Sequence, residues 1–205
     1  MPFSRPATLD DAVLRLVEGN KRFVEERTLA PSPSAERISL ANGQQPFATI
    51  LGCSDSRVPI ETIFDQRPGN LFVIRVAGNI VNEDGLASIE YGVAVLKSML
   101  VVVLGHEQCG AVKAALDHLE SGTFFPGHMQ RLADAISPAA IATRADQTDG
   151  DWWHNAVVEN VRRNARAVYE RSKIIADAVA AGEARIVGAY YDLNSGRVEL
   201  VDVQL

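Results

Sequence analysis

Three residues of the 205-residue sequence are of types that hold metal ions: Cys53, and then His106 and Cys109 within Gly105-His106-Glu107-Gln108-Cys109. The H-x-x-C spacing lets one turn bring an imidazole and a thiolate to a single ion, and soft sulfur with nitrogen suits zinc. A structural zinc normally has four protein ligands, so a Cys2His set leaves one place for water or substrate, as a catalytic zinc requires. Two thiolates offset the charge of Zn2+, which makes water there harder to deprotonate than at a three-histidine site and predicts activity rising toward alkaline pH. Two buried thiols and a hydrogen-bonded histidine are also ordinary core constituents. A redox pair is a further reading, although C-x-x-C spacing is absent.

Cys53 is followed by Ser54-Asp55-Ser56-Arg57. Asp55 and Arg57 are spaced for a bidentate ion pair. That pair would keep the carboxylate ionised and aimed at zinc-bound water, where it accepts a hydrogen bond and selects the attacking lone pair. The same carboxylate is a conditional fourth zinc ligand. Away from a metal, such a pair simply stabilises a loop.

The ligands gain meaning from the elements that carry them. Phe47 to Gly52, Leu71 to Val76 and Leu100 to Leu104 are short apolar runs, each suited to a strand buried on both faces. Cys53 leaves the first run and Gly105-His106 the third, so all three donors stand at strand carboxyl ends, where open parallel sheets form their sites. If those two strands are neighbours, about 4.8 Å apart, long sequence separation is no obstacle. Asp84 to Lys97 and Gly110 to Leu119 have helical spacing between and after the strands.

Toward the amino end, Leu9, Ala12, Val13, Leu16, Val17, Phe23 and Val24 make an amphipathic helical stripe capped by Thr8 and Asp11. The following Ala30-Pro31-Ser32-Pro33-Ser34 reads as a linker, so this helix is expected to project from the body. Ser121 to Gly150 predicts loops around one short helix near Met129 to Ile136. Asp151 to about Ala181 is helical with a break near Ser172, and Ala184–Tyr190 with Arg197–Val203 form an antiparallel hairpin turning at Asp192-Leu193-Asn194-Ser195-Gly196. The expected fold is α/β: a mainly parallel sheet of four strands plus an antiparallel edge strand, flanked by helices. It is expected as one domain over 1–205, with a helical arm at 1–35 and an α/β core at 36–205.

With 47% hydrophobic residues the chain can fill one core, and 26 acidic against 20 basic residues give a formal charge of −6. That balance offers little attraction to nucleic acid. The longest apolar run is too short to span a bilayer, and Met1-Pro2-Phe3-Ser4-Arg5-Pro6 resembles no signal peptide, so a cytoplasmic protein without membrane contact is expected. The phosphate-binding glycine motifs of nucleotide enzymes are missing.

Cys53-Ser54-Asp55-Ser56-Arg57, Arg75-Val76-Ala77-Gly78-Asn79 and Gly105-His106-Glu107-Gln108-Cys109-Gly110 together resemble the β-class carbonic anhydrases, in their plant-like branch. The resemblance extends from Gly19-Asn20-Lys21-Arg22-Phe23 to Tyr191-Asp192-Leu193-Asn194-Ser195-Gly196 and is weakest between Ser121 and Gly150. It implies zinc held by Cys53, His106 and Cys109, a catalytic dyad of Asp55 and Arg57, and Gly110 lining the substrate site. It further implies that Gln44, in Gln44-Gln45-Pro46, binds bicarbonate across a subunit boundary, with Phe72 and Tyr91 walling the pocket. A homodimer or dimer of dimers follows, with the amino-terminal helix laid on the partner. Some members carry a regulatory bicarbonate site of Trp, Arg and Tyr; the matching positions here hold Ile50, Arg75 and Tyr191, so that inhibition is not expected. His118, His128 and His154 are candidate proton shuttles, and Trp152 and Trp153 are expected to pack. The implied activity is reversible hydration of carbon dioxide to bicarbonate. The alternatives are hydrolysis of carbon disulfide or carbonyl sulfide at the same site, or a non-catalytic zinc or bicarbonate binder.

Overall fold

The structure is a computed structural model that describes residues 5–29, 34–144 and 151–205. Five strands form one sheet in the order β2-β1-β3-β4-β5. They are β1 Ala48–Gly52, β2 Leu71–Arg75, β3 Leu100–His106, β4 Arg185–Tyr191 and β5 Val198–Val201. The first four are parallel, and β5 returns antiparallel to β4. The expected architecture is therefore present, edge strand included.

Every residue of β1 and β3 is buried, as strands covered on both faces require. Alternate residues of β3 serve different layers. Leu100, Val102 and Leu104 pack with Phe47, Ile60 and Phe64 on one side, while Val101 and Val103 pack with Ile89, Val161 and Val168 on the other. β2 departs from expectation: it is an edge strand paired only to β1, and most of it is half-buried. Its apolar run reads like a central strand because the run itself does not say how many neighbours it has.

Helices α1 (Leu9–Val24), α2 (Ser34–Leu40), α3 (Ile60–Ile63), α4 (Glu83–Ala94), α5 (Gly110–Ser121), α6 (Gln130–Ala142), α7 (Trp152–Arg171) and α8 (Lys173–Ala180) surround the sheet. The short α2 and α3 were not anticipated. Of the stretch expected as a linker, 30–34, residues 30–33 lie outside the described residues and Ser34 opens α2. α6 runs longer than the short helix expected, because its buried face of Ala133, Ile136, Ala139 and Ala140 continues through Pro138. α7 and α8 separate at Ser172, whose hydroxyl accepts the Ile175 N–H and caps the second helix. Among the described residues no helix is long and apolar enough to cross a membrane.

The amino-terminal helix has the capping box its sequence predicts: Thr8 Oγ1 accepts from Asp11 N, and the Asp11 carboxylate accepts from Thr8 N. The expectation that it projects is corrected. Ala12 and Leu16 are buried in the same cluster as Phe47, Phe64 and Val102. Asn20 Nδ2 donates to the carbonyls of Ile63 at 3.2 Å and Gly196 at 2.8 Å, while its Oδ1 accepts from Val198 N at 2.8 Å. An apolar stripe needs a covering surface, and the chain's own sheet supplies it. Leu14 and Val17 stay exposed on the outer flank of the stripe.

Candidate metal centre

Cys53 follows the last residue of β1, and β3 continues two residues beyond its apolar run, so that His106 is its final residue, in register with Tyr191 of β4. Gln108 adopts a left-handed φ of 51°, and Cys109 is the cap residue of α5. Because β1 and β3 are hydrogen-bonded neighbours, with Gly52 opposite Leu104, the three side chains converge. Their donor atoms lie within 4.8 Å of one another, and all three residues are buried.

The donor set fits a zinc ion. The sulfurs of Cys53 and Cys109 are 3.9 Å apart, and two thiolates at tetrahedral corners about 2.3 Å from zinc would stand about 3.8 Å apart. His106 Nδ1 lies 2.8 Å from the Glu107 carbonyl, which can only accept, so Nδ1 carries the proton. Nε2 is then left buried and without a hydrogen-bond partner. A buried polar atom without a hydrogen-bond partner is costly, and coordination to a metal ion is one way to satisfy it. The paired sulfurs share one acidity: the hydrogen bond with Cys109 lowers the Cys53 thiol well below its ordinary range, and the same bond with burial raises Cys109.

Asp55 and Arg57 form the pair their spacing predicts. Arg57 Nε donates to Oδ1 at 3.0 Å and Nη2 to Oδ2 at 2.7 Å, with the Arg57 N–H adding a third bond to Oδ1 at 2.9 Å. These donors lower the Asp55 carboxyl to about 2, the Arg57 side chain contributing most. Asp55 Oδ2 lies 3.9 Å from His106 Nε2, so the carboxylate borders the three ligands. Arg57 Nη2 also donates to the Gln108 carbonyl at 3.3 Å, tying the loop after β1 to the loop after β3.

Several supporting residues were not assigned these roles from sequence. Arg75 Nε donates to the Cys53 carbonyl at 3.0 Å and Nη2 to the Asp55 carbonyl at 2.6 Å, clamping the loop that carries both side chains. Gly78, at φ 72°, points its N–H at Cys53 Sγ from 3.3 Å. The left-handed φ favours glycine there, and a Cβ would also press on Ile136 Cδ1 at 2.6 Å. The Glu107 carboxylate accepts from Leu193 N and Asn194 Nδ2, fixing the turn behind His106. Arg75 and Gly78 lie in the Arg75-Val76-Ala77-Gly78-Asn79 motif, which was the available signal.

The other candidates divide into two groups. Gly110 opens α5 beside Cys109, and a Cβ there would meet nothing within 4 Å, which leaves space at the mouth of the site. Gln44 is exposed and precedes β1, whose five residues alone span about 16 Å toward Cys53. Phe72 pairs with Thr49 on β1, and its ring lies 6.0 Å from that of Tyr91 on α4, which is 48% exposed. Within one chain the structure therefore does not bring Gln44, Phe72 and Tyr91 to the three ligands. His118 Nδ1 is engaged by the Thr123 carbonyl, His154 packs edge-on against Tyr190, and His128 sits in the 3-10 turn Gly127–Met129. Trp152 and Trp153 both pack and hydrogen-bond, the former to the Ala140 carbonyl.

A mainly parallel α/β sheet presenting two thiols and an imidazole at adjacent strand ends has the donor set and spacing that could hold a metal ion. The chain belongs to the carbonic anhydrase family, whose model matches residues 48–198, and within it to the β class. It is 41% identical to carbonic anhydrase 2 of Mycobacterium tuberculosis, covering 98% of this chain and 96% of that one. Among solved structures, a tetrameric β-carbonic anhydrase of Sordaria macrospora superposes with a TM-score of 0.73 at 28% identity, covering 80% of this chain and 85% of its own. The Coccomyxa β-carbonic anhydrase, solved in complex with acetazolamide, gives 0.70 at 28% identity over 91% and 84%.

Proposed function

We propose that this chain catalyses the zinc-dependent, reversible hydration of carbon dioxide, in which CO2 and water give bicarbonate and a proton. The observation that carries this reading is the ionised Asp55, fixed by Arg57 and bordering three buried metal-ligand atoms. A non-catalytic binder has no use for an oriented proton acceptor at that place.

Cys53, His106 and Cys109 would hold the ion, and zinc bound there supplies the Lewis acidity that brings water ionisation toward the physiological range. Asp55 accepts a hydrogen bond from the attacking oxygen and so turns its lone pair toward the carbon of CO2. Arg57 keeps that carboxylate charged and aimed, and Arg75 holds the main chain beneath it. Asp55 is also the conditional fourth zinc ligand. Gly110 leaves room for substrate, and Gln44, Phe72 and Tyr91 reach the site from a second copy in a homodimer or dimer of dimers. The reading includes a cytoplasmic location without nucleic-acid or membrane partners, and the net charge of −6 gives little attraction to nucleic acid.

Bicarbonate inhibition through a second site is not part of this reading. Ile50 is fully buried, and Arg75 already donates to two carbonyls. Rates measured over rising bicarbonate should decline without cooperativity.

The test is direct. The purified chain is analysed for zinc and assayed for CO2 hydration by stopped-flow indicator change at pH about 8.5. Folded, zinc-loaded protein that gives no hydration above the uncatalysed rate overturns the proposal.

A further inference from the structure

Helix α7 reaches the main chain on both sides of the three candidate ligands. Trp153 Nε1 donates to the Cys109 carbonyl at 3.0 Å. Two helical turns on, and so on the same face, Asn160 Nδ2 donates to the Gly78 carbonyl at 2.8 Å. Gly78 is the residue whose N–H meets Cys53 Sγ. Beside these contacts the helix sits directly on the strand end that carries His106: a Cβ on Gly105 would come 2.5 Å from Val161 Cγ2 and 3.1 Å from Val157 Cγ1. One helix face thus touches the segments bearing all three ligands.

The polarity of the Asn160 contacts is fixed. The Gly78 carbonyl can only accept, so the Asn160 amide nitrogen must face it. Asn160 Oδ1 then accepts from Asn164 Nδ2 at 3.0 Å, and Asn164 Oδ1 accepts from the Val81 N–H at 2.8 Å. Main-chain groups of fixed sense close this chain of amides at both ends. Asn160 is 1% exposed. Burying an amide is costly, and packing alone would be served by an apolar side chain.

We propose that Trp153 and Asn160 are positioning residues of the metal centre, and that α7 sets the separation of the two sulfurs by holding Cys109 directly and Cys53 through Gly78. The proposal rests on reading Cys53, His106 and Cys109 as the zinc site. Residues in this outer position typically change metal affinity by about 10- to 100-fold.

The experiment uses the full chain as wild type, Asn160→Asp, Trp153→Phe and Val168→Ala. Aspartate keeps the shape of Asn160 and the bond from Asn164 but turns an acceptor against the Gly78 carbonyl. Phenylalanine keeps the ring and loses the Nε1 donor. Val168 is a buried residue further along α7, packed away from the ligands, and controls for lost stability. Zinc affinity is measured by chelator competition, and the ligand geometry by the thiolate-to-metal absorption of the cobalt(II)-loaded proteins.

The expected result is zinc binding weakened about tenfold or more in Asn160→Asp and Trp153→Phe, with an altered cobalt spectrum. Val168→Ala should lower the Tm and leave affinity and spectrum within twofold of wild type. Wild-type affinity and spectrum in both positioning variants overturn the inference, as does equal weakening in Val168→Ala. Should Asn160→Asp not fold, Trp153→Phe decides alone. Absence of zinc binding in wild type overturns the zinc reading itself, which separates the two failures.

Discussion

The Asp55 carboxylate, paired with Arg57, stands 3.9 Å from Nε2 of His106. Asp55→Asn keeps the size of the side chain and removes the charge and much of the acceptor strength. Zinc content should stay at the wild-type level. Stopped-flow turnover should fall between about a hundredfold and ten-thousandfold, the range general-base groups contribute.

Arg57→Gln removes the guanidinium that holds Asp55 at about 2, and the carboxyl should move up toward the ordinary value of about 3.9. A folded value below the unfolded one means that the pair's stabilisation is fully present above about pH 4 and is lost as pH falls through about 2. Melting temperatures of wild type and variant should therefore differ above about pH 4 and converge toward pH 2. The difference should be small and salt-sensitive, because Arg57 is half exposed. Turnover should fall by up to about a hundredfold as Asp55 loses its aim.

Gln44 belongs to the opposite end of β1 from Cys53, so a site that uses both needs two copies. Gln44→Ala and His106→Ala proteins, each poorly active alone, should gain activity above their sum when unfolded and refolded together. Mixed assemblies then contain a complete site. Activity that only averages the two would show that Gln44 does not act across a boundary.

Gly19→Ala tests whether the amino-terminal helix lies on its own chain. A Cβ there would stand 1.9 Å from the Phe64 carbonyl oxygen, a clash with main chain that should cost about 1–3 kcal/mol. The better helix propensity of alanine returns at most about 1 kcal/mol, so the net effect is destabilising. A lower Tm, with faster proteolysis between α1 and β1, is the expected outcome. An unchanged or raised Tm would mean that the helix docks elsewhere.

The site was more legible in the sequence than its supports. Strands covered by layers on both faces are short and mostly apolar, so β1 and β3 stand out, as the edge strand β2 also does, and the residues leaving the carboxyl ends of β1 and β3 carry the donors. The apolar run ends at Leu104, whereas β3 extends to His106 because Gly105 and His106 pair with Tyr190 and Tyr191 of β4, a partner distant in sequence. The docking of α1 was misread because an amphipathic stripe calls for a covering surface without naming it. α6 runs past Ile136 because Ala139 and Ala140 continue its buried face, and small alanines give a weak apolar signal. Trp153, Asn160 and Arg75 act through side-chain bonds to distant main chain, and such bonds leave no periodic trace.

The adjacency of β1 and β3 also bears on timing. Cys53 emerges early in synthesis, while His106 and Cys109 appear only after β2, α4 and β3 have been made, and nothing local holds the two groups together. Parallel pairing across such a crossover is slow to form. Before it forms, Cys53 stands apart from His106 and Cys109, so tight capture of metal should mark a chain that has already completed its central strands.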